Sequence, residues 1–234
     1  MLEGLDGAGT TTQAAELGRR LRARGLTVLV TAEPSRGPIG SLIRTVLGKR
    51  LVGPAGRPFD RGALALLFAA DRLDHVASEI VPTLASGGWV ISDRYFVSSL
   101  AYQTLDLPEP FVRQINERAP RPDLTLFLDV PAEAALRRRR AEGAAPELFE
   151  DLALQRRVAL GYRRALTEGG GGSPVAVVDG TASIAAVSDA VEAAILERFF
   201  SARPASERRA AERRPGRSVG AAGRSKVARV ARTR

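Results

Sequence analysis

The sequence predicts an α/β fold in which a central parallel sheet of about five strands is flanked by helices. Short β-branched apolar runs alternate along the chain with longer segments of helical spacing, which is the pattern of repeated strand-helix units. The strands are almost wholly apolar, as is typical of strands covered on both faces. The 234 residues include no Cys and one His, so composition excludes disulfides and thiol chemistry and argues against a multi-His metal site.

The elements can be placed in order along the chain. Only Met1 to Glu3 precede the first Gly-rich segment, so the first strand is expected to be truncated. Four further strands are predicted at Leu26 to Thr31, Gly88 to Ser92, Leu124 to Val130 and Pro174 to Val178. Helices are predicted at Thr11 to Arg24, Pro38 to Leu47, Gly62 to Ala85, Pro110 to Ala119, Ala132 to Arg140, Asp151 to Leu166 and Ser183 to Phe200.

Charge divides the chain into two parts. The whole chain has 35 Lys and Arg against 26 Asp and Glu, and residues 201–234 hold 11 of the basic residues but only two Glu. The formal charge of +9 therefore belongs to this tail, which we expect to be disordered, whereas residues 1–200 are balanced and form one domain. No apolar run is long enough to span a membrane and no signal segment opens the chain, so a cytoplasmic location is expected.

A Gly-rich segment directly before the first helix carries the strongest chemical signal. In the P-loop pattern G-x-x-x-x-G-K-[ST], backbone N–H groups and the helix N-terminus bind phosphate oxygens. Gly4 and Gly9 have this spacing, and Thr11 supplies the hydroxyl that would ligate Mg²⁺. The predicted phosphate-binding residues are Gly4, Leu5, Asp6, Gly7, Ala8, Gly9, Thr10, Thr11 and Thr12.

One position departs from the P-loop pattern, because Thr10 stands where Lys is expected. Thr can donate one hydrogen bond but brings no charge to the phosphates, so the positive charge is lost or comes from elsewhere. The chain has only two Lys, Lys49 and Lys226, and neither lies near this segment in sequence. An ordinary Gly-rich turn, with Thr11 or Thr12 capping the helix, remains the alternative for this segment taken alone.

Five segments taken together resemble the thymidylate kinase family, a group of P-loop nucleoside monophosphate kinases. They are Glu3 to Gly9, Thr31 to Pro34, Leu67 to Arg72, Asp93 to Tyr95 and Ala101 to Gln103, in the order and spacing of that family. The resemblance runs from residue 2 to about residue 198. It implies a three-layer P-loop fold and Mg²⁺-dependent transfer of the γ-phosphoryl group of ATP to dTMP. Two departures are Thr10 and Ala32, which replaces an Arg of the family.

The resemblance also implies roles for acceptor-site residues. Phe68 would stack on thymine with Arg72 one helical turn later, Arg94 would hold the acceptor phosphate, and Asp93 would lie near Mg²⁺ and its waters. Ser99 and Tyr102 would contact the thymine edge and the sugar, and Asp6 and Arg44 would face the acceptor. Simpler alternatives remain open for several: core packing for Phe68, a surface ion pair with Asp71 or Asp74 for Arg72, helix packing for Ser99 and Tyr102, helix capping for Asp6, and a surface position for Arg44.

A run of four Arg at the end of one predicted helix is the candidate source of the charge that Thr10 lacks. The superfamily carries a mobile lid in this region, here about residues 137–149, and a closing lid can bring Arg to the transferring phosphates. Successive residues point around a helix, so the four cannot all reach one ligand. Arg137 and Arg140 are the predicted catalytic pair, and a solvated helical face is the alternative.

The function predicted from sequence is therefore an ATP-dependent, Mg²⁺-dependent dTMP kinase that forms a homodimer. The alternatives are a kinase for another pyrimidine deoxynucleotide or for a deoxynucleoside, and a nucleotide-binding protein weakened by Thr10. The basic tail is a candidate for non-specific contact with nucleic acid. It contains no aromatic residue to stack on bases, which argues against specific recognition there.

Overall fold

A computed structural model, which describes residues 1–141, 151–167 and 172–201, confirms the predicted α/β class. Five parallel strands form one sheet in the order β2-β3-β1-β4-β5. They are β1 (Leu2–Gly4), β2 (Val28–Ala32), β3 (Trp89–Asp93), β4 (Thr125–Asp129) and β5 (Val175–Asp179). The short first strand lies at the centre, and each predicted strand boundary is within two residues of the observed one.

Helices cover the sheet and give the three-layer architecture. They are α1 (Thr10–Ala23), α2 (Pro38–Leu47), α3 (Arg61–His75), α4 (Val81–Ala85), α5 (Phe96–Gln103), α6 (Glu109–Ile115), α7 (Ala132–Ala141), α8 (Leu152–Thr167) and α9 (Ile184–Phe199). Helices α1 and α9 pack against each other, as do α5 and α8. Within the described ranges, no helix combines the length and apolar character needed to cross a membrane.

Local chemistry explains where several helices begin. Pro38 starts α2 at a position whose N–H has no helical partner, which suits proline. The Asp60 side chain accepts a hydrogen bond from the Ala63 N–H and caps α3, and Ser183 caps α9 in the same way through the Ala186 N–H. These caps fix the starts of two helices that flank the sheet.

The prediction of one helix from Gly62 to Ala85 is confirmed, with one irregular turn inside it. Helix α3 runs to His75, a wide π-helical turn continues it at Val76–Ile80, and α4 continues from Val81, with helical backbone angles at both junctions. Pro82 has no N–H to donate to a preceding carbonyl, which accounts for a break in the regular α-helical bonding at this point.

The tail and two internal segments lie outside the described residues. The predicted lid at about 137–149 is described only to Ala141, and most of the Gly-rich connection at 169–172 is likewise outside. The chain is described as far as Ser201, where α9 has ended. At that end Phe199 meets the Trp89 ring edge-on, with ring centroids 5.1 Å apart, and the Phe200 ring stacks on Trp89 at 5.6 Å.

Candidate active site

The carboxyl ends of three neighbouring strands carry the candidate active site. The phosphate-binding segment follows β1, Glu33 and Pro34 follow β2, and Arg94 follows β3. Ligands of open parallel sheets bind at this edge, because the loops that leave the strands converge there. The fold thus brings together segments that are up to 90 residues apart in sequence.

The Gly-rich segment has the backbone geometry of a phosphate-binding loop. Gly7 and Gly9 adopt positive φ angles of 87° and 95°, a region that favours glycine over residues with a Cβ. Gly9 is the N-cap of α1 and no side chain caps that helix, so the alternative of a Thr11 or Thr12 cap is wrong. The N–H groups of the first turn of α1 lack intrahelical acceptors and are available to an anion.

Thr11 and Asp93 form the pair that the sequence assigns to Mg²⁺. The Thr11 hydroxyl donates to Asp93 Oδ2 across 2.5 Å, which joins the start of α1 to the end of β3. The other carboxylate oxygen, Asp93 Oδ1, is buried and has no hydrogen-bond partner among the described residues. Hydroxyl and carboxylate oxygens are hard ligands that Mg²⁺ prefers, so this donor set fits the ion.

Arg94 is held at the junction between the phosphate-binding loop and a neighbouring cavity. Its Nη2 donates to Asp6 Oδ1 across 2.5 Å, and its Nη1 donates to Tyr162 Oη and Ser98 Oγ at 2.8 and 3.2 Å. The Arg94 backbone has a φ of 69°, which is unusual for a residue with a Cβ and is common at functional sites. Asp6 therefore pairs with Arg94, and the proposed capping role of Asp6 is wrong.

A buried glutamate, Glu3, holds the residues that surround Arg94. Glu3 accepts hydrogen bonds from the Tyr95 and Ser98 N–H groups and from the Ser98 and Tyr162 hydroxyls, and its side chain is fully buried. Burial raises the pKa of Glu3, although these hydrogen bonds oppose the shift. Burial also lowers the pKa of Arg94, but nearby Tyr102, Tyr162 and Asp6 hold it well above its ordinary value, so Arg94 stays charged.

The cavity beside the loop has a volume of about 270 Å³ and a mixed apolar and charged wall. Phe68 and Leu64 supply apolar surface, while Asp6 and Arg94 are shared with the phosphate-binding loop. All seven residues that the resemblance assigns to dTMP line this cavity: Asp6, Arg44, Phe68, Arg72, Arg94, Ser99 and Tyr102. Phe68 also packs against the small cluster around Ile43, so it contributes to the core as well.

Arg72 lies in a buried polar cluster behind the cavity. Its Nε donates to Glu33 Oε2 at 2.7 Å, one Nη donates to Asn116 Oδ1, and the other donates to Ser99 Oγ at 3.1 Å. Only 2% of Arg72 is exposed, so a surface pair with Asp71 or Asp74 is wrong. Instead, Asp71 accepts two hydrogen bonds from Ser35, one from its N–H and one from its hydroxyl.

Arg44 is anchored at the cavity rim by backbone carbonyls. Its two Nη atoms donate to the Pro34 and Ser35 carbonyl oxygens, each across 2.6 Å. These contacts hold α2 against the turn after β2, next to the cis peptide bond between Glu33 and Pro34. The guanidinium therefore has a fixed position in the cavity wall, as a residue that contacts a ligand requires.

The four Arg of α7 have different environments. Arg137 and Arg140, the predicted pair, are exposed. Arg138 donates to the Gly180 and Thr181 carbonyl oxygens. Arg139 packs beside the Gly-rich loop at Gly7, since a Cβ built at Gly7 would be 3.4 Å from Arg139 Cβ. The structure therefore favours Arg139 as the residue beside the loop, whereas the sequence analysis had named Arg137 and Arg140.

Sequence reasoning gave no role to four residues that position the site, although Glu3 and Glu33 belong to the segments that carry the family resemblance. Glu3, Glu33, Asn116 and Tyr162 are buried polar residues that hold Arg72 or Arg94 in place. A carboxylate in a central strand was the available signal for Glu3, because a buried charge requires partners. Tyr162 follows Val158 at helical spacing, which predicts only a core position.

The fold and the site define a P-loop nucleotide kinase, with a Gly-rich loop of the predicted geometry before α1 and an adjoining cavity. Comparison with known sequences gives the particular family, since the sequence model described as Thymidylate kinase matches residues 2–191. The chain therefore belongs to the thymidylate kinase family, whose members are nucleoside monophosphate kinases.

Individual relatives agree with this assignment. A probable thymidylate kinase of Pyrococcus abyssi is 45% identical over 163 residues, which cover 69% of this chain and 79% of the relative. The thymidylate kinase of Thermomicrobium roseum is 43% identical over 204 residues, covering 83% and 92%. A putative thymidylate kinase of Treponema pallidum is 40% identical, covering 69% and 76%.

Proposed function

We propose that this enzyme transfers the γ-phosphoryl group of ATP to dTMP and releases ADP and dTDP. The observation that carries the proposal is the contact between Arg94 and Asp6, which joins the wall of the acceptor cavity to the phosphate-binding loop. The phosphate of an acceptor bound in the cavity would therefore lie next to the phosphates of ATP bound by the loop. The thymidylate kinase names of the relatives support dTMP as the acceptor.

The proposed reaction needs positioning and charge neutralisation. The bond between the γ-phosphorus and the β,γ-bridging oxygen breaks as an oxygen of the acceptor phosphate bonds to that phosphorus, so no covalent enzyme intermediate forms. Arg94, fixed by Asp6 and Tyr162, would orient the acceptor phosphate, and Arg44 would hold the cavity rim. Phe68 would stack on the base, and Ser99 with Tyr102 would contact the base edge and sugar.

Thr11 and Asp93 would hold Mg²⁺, directly or through its waters. The ion, when bound there, would neutralise negative charge on the phosphates of the nucleotide. The buried Oδ1 of Asp93 supports this role, because an unpartnered carboxylate oxygen is costly unless a cation or water meets it.

The acceptor is tested by a coupled assay of ADP release with dTMP, dUMP, dCMP and thymidine at equal concentrations. We expect dTMP to be fastest, and thymidine to be poor because it offers no phosphate to Arg94 and Arg44. Faster turnover of another acceptor would overturn the choice of dTMP. ATP binding without detectable turnover of any of the four would instead establish the alternative of a weakened nucleotide-binding protein.

We further propose that α7 supplies the positive charge that Thr10 lacks, with Arg139 as the foremost contributor. Replacing Arg139 with Ala should lower kcat about 10- to 100-fold with dTMP saturating, because a cation near the transferring phosphate stabilises charge in the transition state. Arg137→Ala and Arg140→Ala are the matched comparisons on the same helix. Equal kcat values for all three variants and the parent would contradict the proposal.

The substitution Thr10→Lys tests the missing positive charge directly, because it restores a cation at this position. Thr10 is nearly buried at the start of α1, with its Cγ2 3.4 Å from a Cβ built at Gly4. A Lys there should raise kcat about tenfold, since a hydrogen bond to a charged group contributes about 1.5–3 kcal/mol. Thr10→Met, of similar length without charge, is the control, and equal kcat values for the two variants would contradict the electrostatic explanation. The homodimer, the cytoplasmic location and the contact of the tail with nucleic acid stay predictions from the sequence.

A further inference from the structure

A histidine buried behind the acceptor cavity takes part in no step of the proposed reaction. His75, the last residue of α3, is the only His of the chain, and 1% of it is exposed. Its Nε2 lies 2.7 Å from the Thr31 hydroxyl of β2, and its Nδ1 lies 3.3 Å from Glu33 Oε1. The imidazole therefore contacts two side chains at the carboxyl end of β2, one of which lines the cavity.

The chemistry of these partners fixes the direction of the hydrogen bonds. A carboxylate paired with a guanidinium only accepts, so Nδ1 of His75 carries the proton that points to Glu33. In a neutral imidazole the other nitrogen is an acceptor, and it accepts from the Thr31 hydroxyl. One oxygen of Glu33 is thus held by His75, while the other accepts from Arg72 Nε at 2.7 Å.

The same donor-to-acceptor order continues from Arg72 to the cavity wall. Arg72 has only donors, and its two Nη atoms donate to Asn116 Oδ1 and to Ser99 Oγ. The Asn116 amide has one orientation, because its Nδ2 donates to the Val112 carbonyl oxygen at 2.8 Å. Since the Ser99 oxygen accepts from Arg72, the Ser99 proton is left for an acceptor in the cavity, whose wall both residues line.

We propose that His75 is a positioning residue for base selection in the acceptor cavity, an inference that rests on the proposed function. By holding Glu33, it keeps Arg72 and Ser99 turned so that both present donors to the edge of the base. A carbonyl oxygen of thymine accepts from such donors. The amino group at the corresponding position of cytosine is itself a donor, so it would leave them unpaired.

Equilibrium binding of dTMP and dCMP, measured by titration calorimetry, tests the proposal without requiring turnover. The measured quantity is the ratio of the Kd of dCMP to the Kd of dTMP. His75→Leu removes both hydrogen bonds and should lower this ratio about tenfold or more, because small displacements of a binding group are costly. His75→Asn keeps a donor near the place of Nδ1 and should recover most of the ratio. The Kd of ATP should stay unchanged, which a general loss of structure would not allow.

Two further variants separate this buried chain of contacts from the surface of the protein. Thr31→Val removes one hydroxyl and should lower the ratio by about threefold, as expected for one hydrogen bond. Glu79→Gln should leave it unchanged, since Glu79 lies 3.9 Å from the same imidazole but its side chain is 40% exposed. Thr31→Val alone decides the question where His75→Leu does not fold.

An unchanged ratio in Thr31→Val and His75→Leu would overturn the proposal, as would equal weakening of ATP and dTMP binding. Equal losses of the ratio in His75→Asn and His75→Leu would also contradict a role through the hydrogen bond to Glu33. A parent chain that binds dCMP as tightly as dTMP would instead contradict the choice of dTMP in the proposed function. The change from parent to variant tests His75 separately from that choice.

Discussion

Glu33 connects the acceptor cavity to the interior of the protein. Its two carboxylate oxygens contact Arg72 Nε at 2.7 Å and His75 Nδ1 at 3.3 Å, and the other ring nitrogen of His75 lies 2.7 Å from the Thr31 hydroxyl. Arg72 in turn donates to Ser99 in the cavity wall. Through its buried ion pair with Arg72, Glu33 therefore fixes the orientation of Arg72. Arg72 in turn positions Ser99, the other residue assigned to the base site.

Replacing Glu33 with Gln should lower the free energy of unfolding by about 3 kcal/mol. The change leaves the buried Arg72 guanidinium without a compensating charge, which costs far more than the loss of a surface pair. Glu79→Gln is the control, since Glu79 lies 3.9 Å from the same His75 but its side chain is 40% exposed. Urea unfolding measures both variants. A loss for Glu33→Gln no larger than for Glu79→Gln would contradict a structural role for the buried pair.

Sequence reasoning named residues that line the cavity but not the residues that hold them in place. Phe68, Arg72 and Ser99 were assigned through the family resemblance, and all three line the cavity, whereas their contacts with a nucleotide stay predictions. Asn116 belongs to no recognised motif, and its contact with Arg72 spans 44 positions of the chain. Such a partner is defined by the packing of α6 against α3, which local spacing does not encode.

At the scale of elements, the phosphate-binding loop and α7 form one packed unit. A Cβ built at Gly7 would lie 2.2 Å from the Ala135 carbonyl oxygen, so the loop touches the backbone of α7 and only glycine fits. This contact places the Arg run of α7 beside the loop. It also makes the position of α7 sensitive to any change in the loop.

Gly7→Ala should therefore lower both stability and turnover. A residue with a Cβ at φ 87° costs about 1 kcal/mol or more from strain alone, and the clash with Ala135 adds to this cost. Gly25→Ala isolates the strain, because Gly25 has a similar φ of 82° but a Cβ there would meet nothing within 4 Å. Urea unfolding should show the larger loss for Gly7→Ala. Equal losses in the two variants would mean that the contact with α7 is unimportant.

The strands and helices were largely predictable from the pattern of apolar residues along the sequence. The four longer strands were recognised from their apolar runs, β1 was inferred from its place before the Gly-rich segment, and Pro38 marked the start of α2 correctly. The π-helical turn after His75 was missed because the apolar helical spacing continues through Pro82. The edge of the sheet that carries the candidate site was expected from the parallel strands, but the choice of Arg139 required the contact between the loop and α7.

At the scale of the whole molecule, the amino group of Met1 makes stability depend on pH. Its pKa falls from the ordinary value of 8.0 to about 6 in the folded protein, because burial disfavours the charged form. The unfolded chain therefore binds this proton more tightly than the folded chain does between about pH 6 and 8. By linkage, the free energy of unfolding should rise as the pH increases through this range.

The size of the effect follows from the pKa shift. One pKa unit corresponds to about 1.4 kcal/mol, and Met1 is only partly buried, so we expect a gain of about 2 kcal/mol from pH 6 to 8. Urea unfolding of the chain and of an Nα-acetylated chain at both pH values measures this contribution, because other titrating groups cancel in the difference. Parallel pH dependence in the two chains would contradict the assignment to Met1.

The aromatic contact at the end of α9 has a practical consequence. Phe199 and Phe200 pack on Trp89, the first residue of β3, whereas the site residues Asp93 and Arg94 are at the other end of that strand. Five residues of strand span about 13 Å, so α9 ends on the side of the protein away from the candidate active site. A fluorophore or an immobilisation handle attached at Ser201 would leave the candidate active site unobstructed.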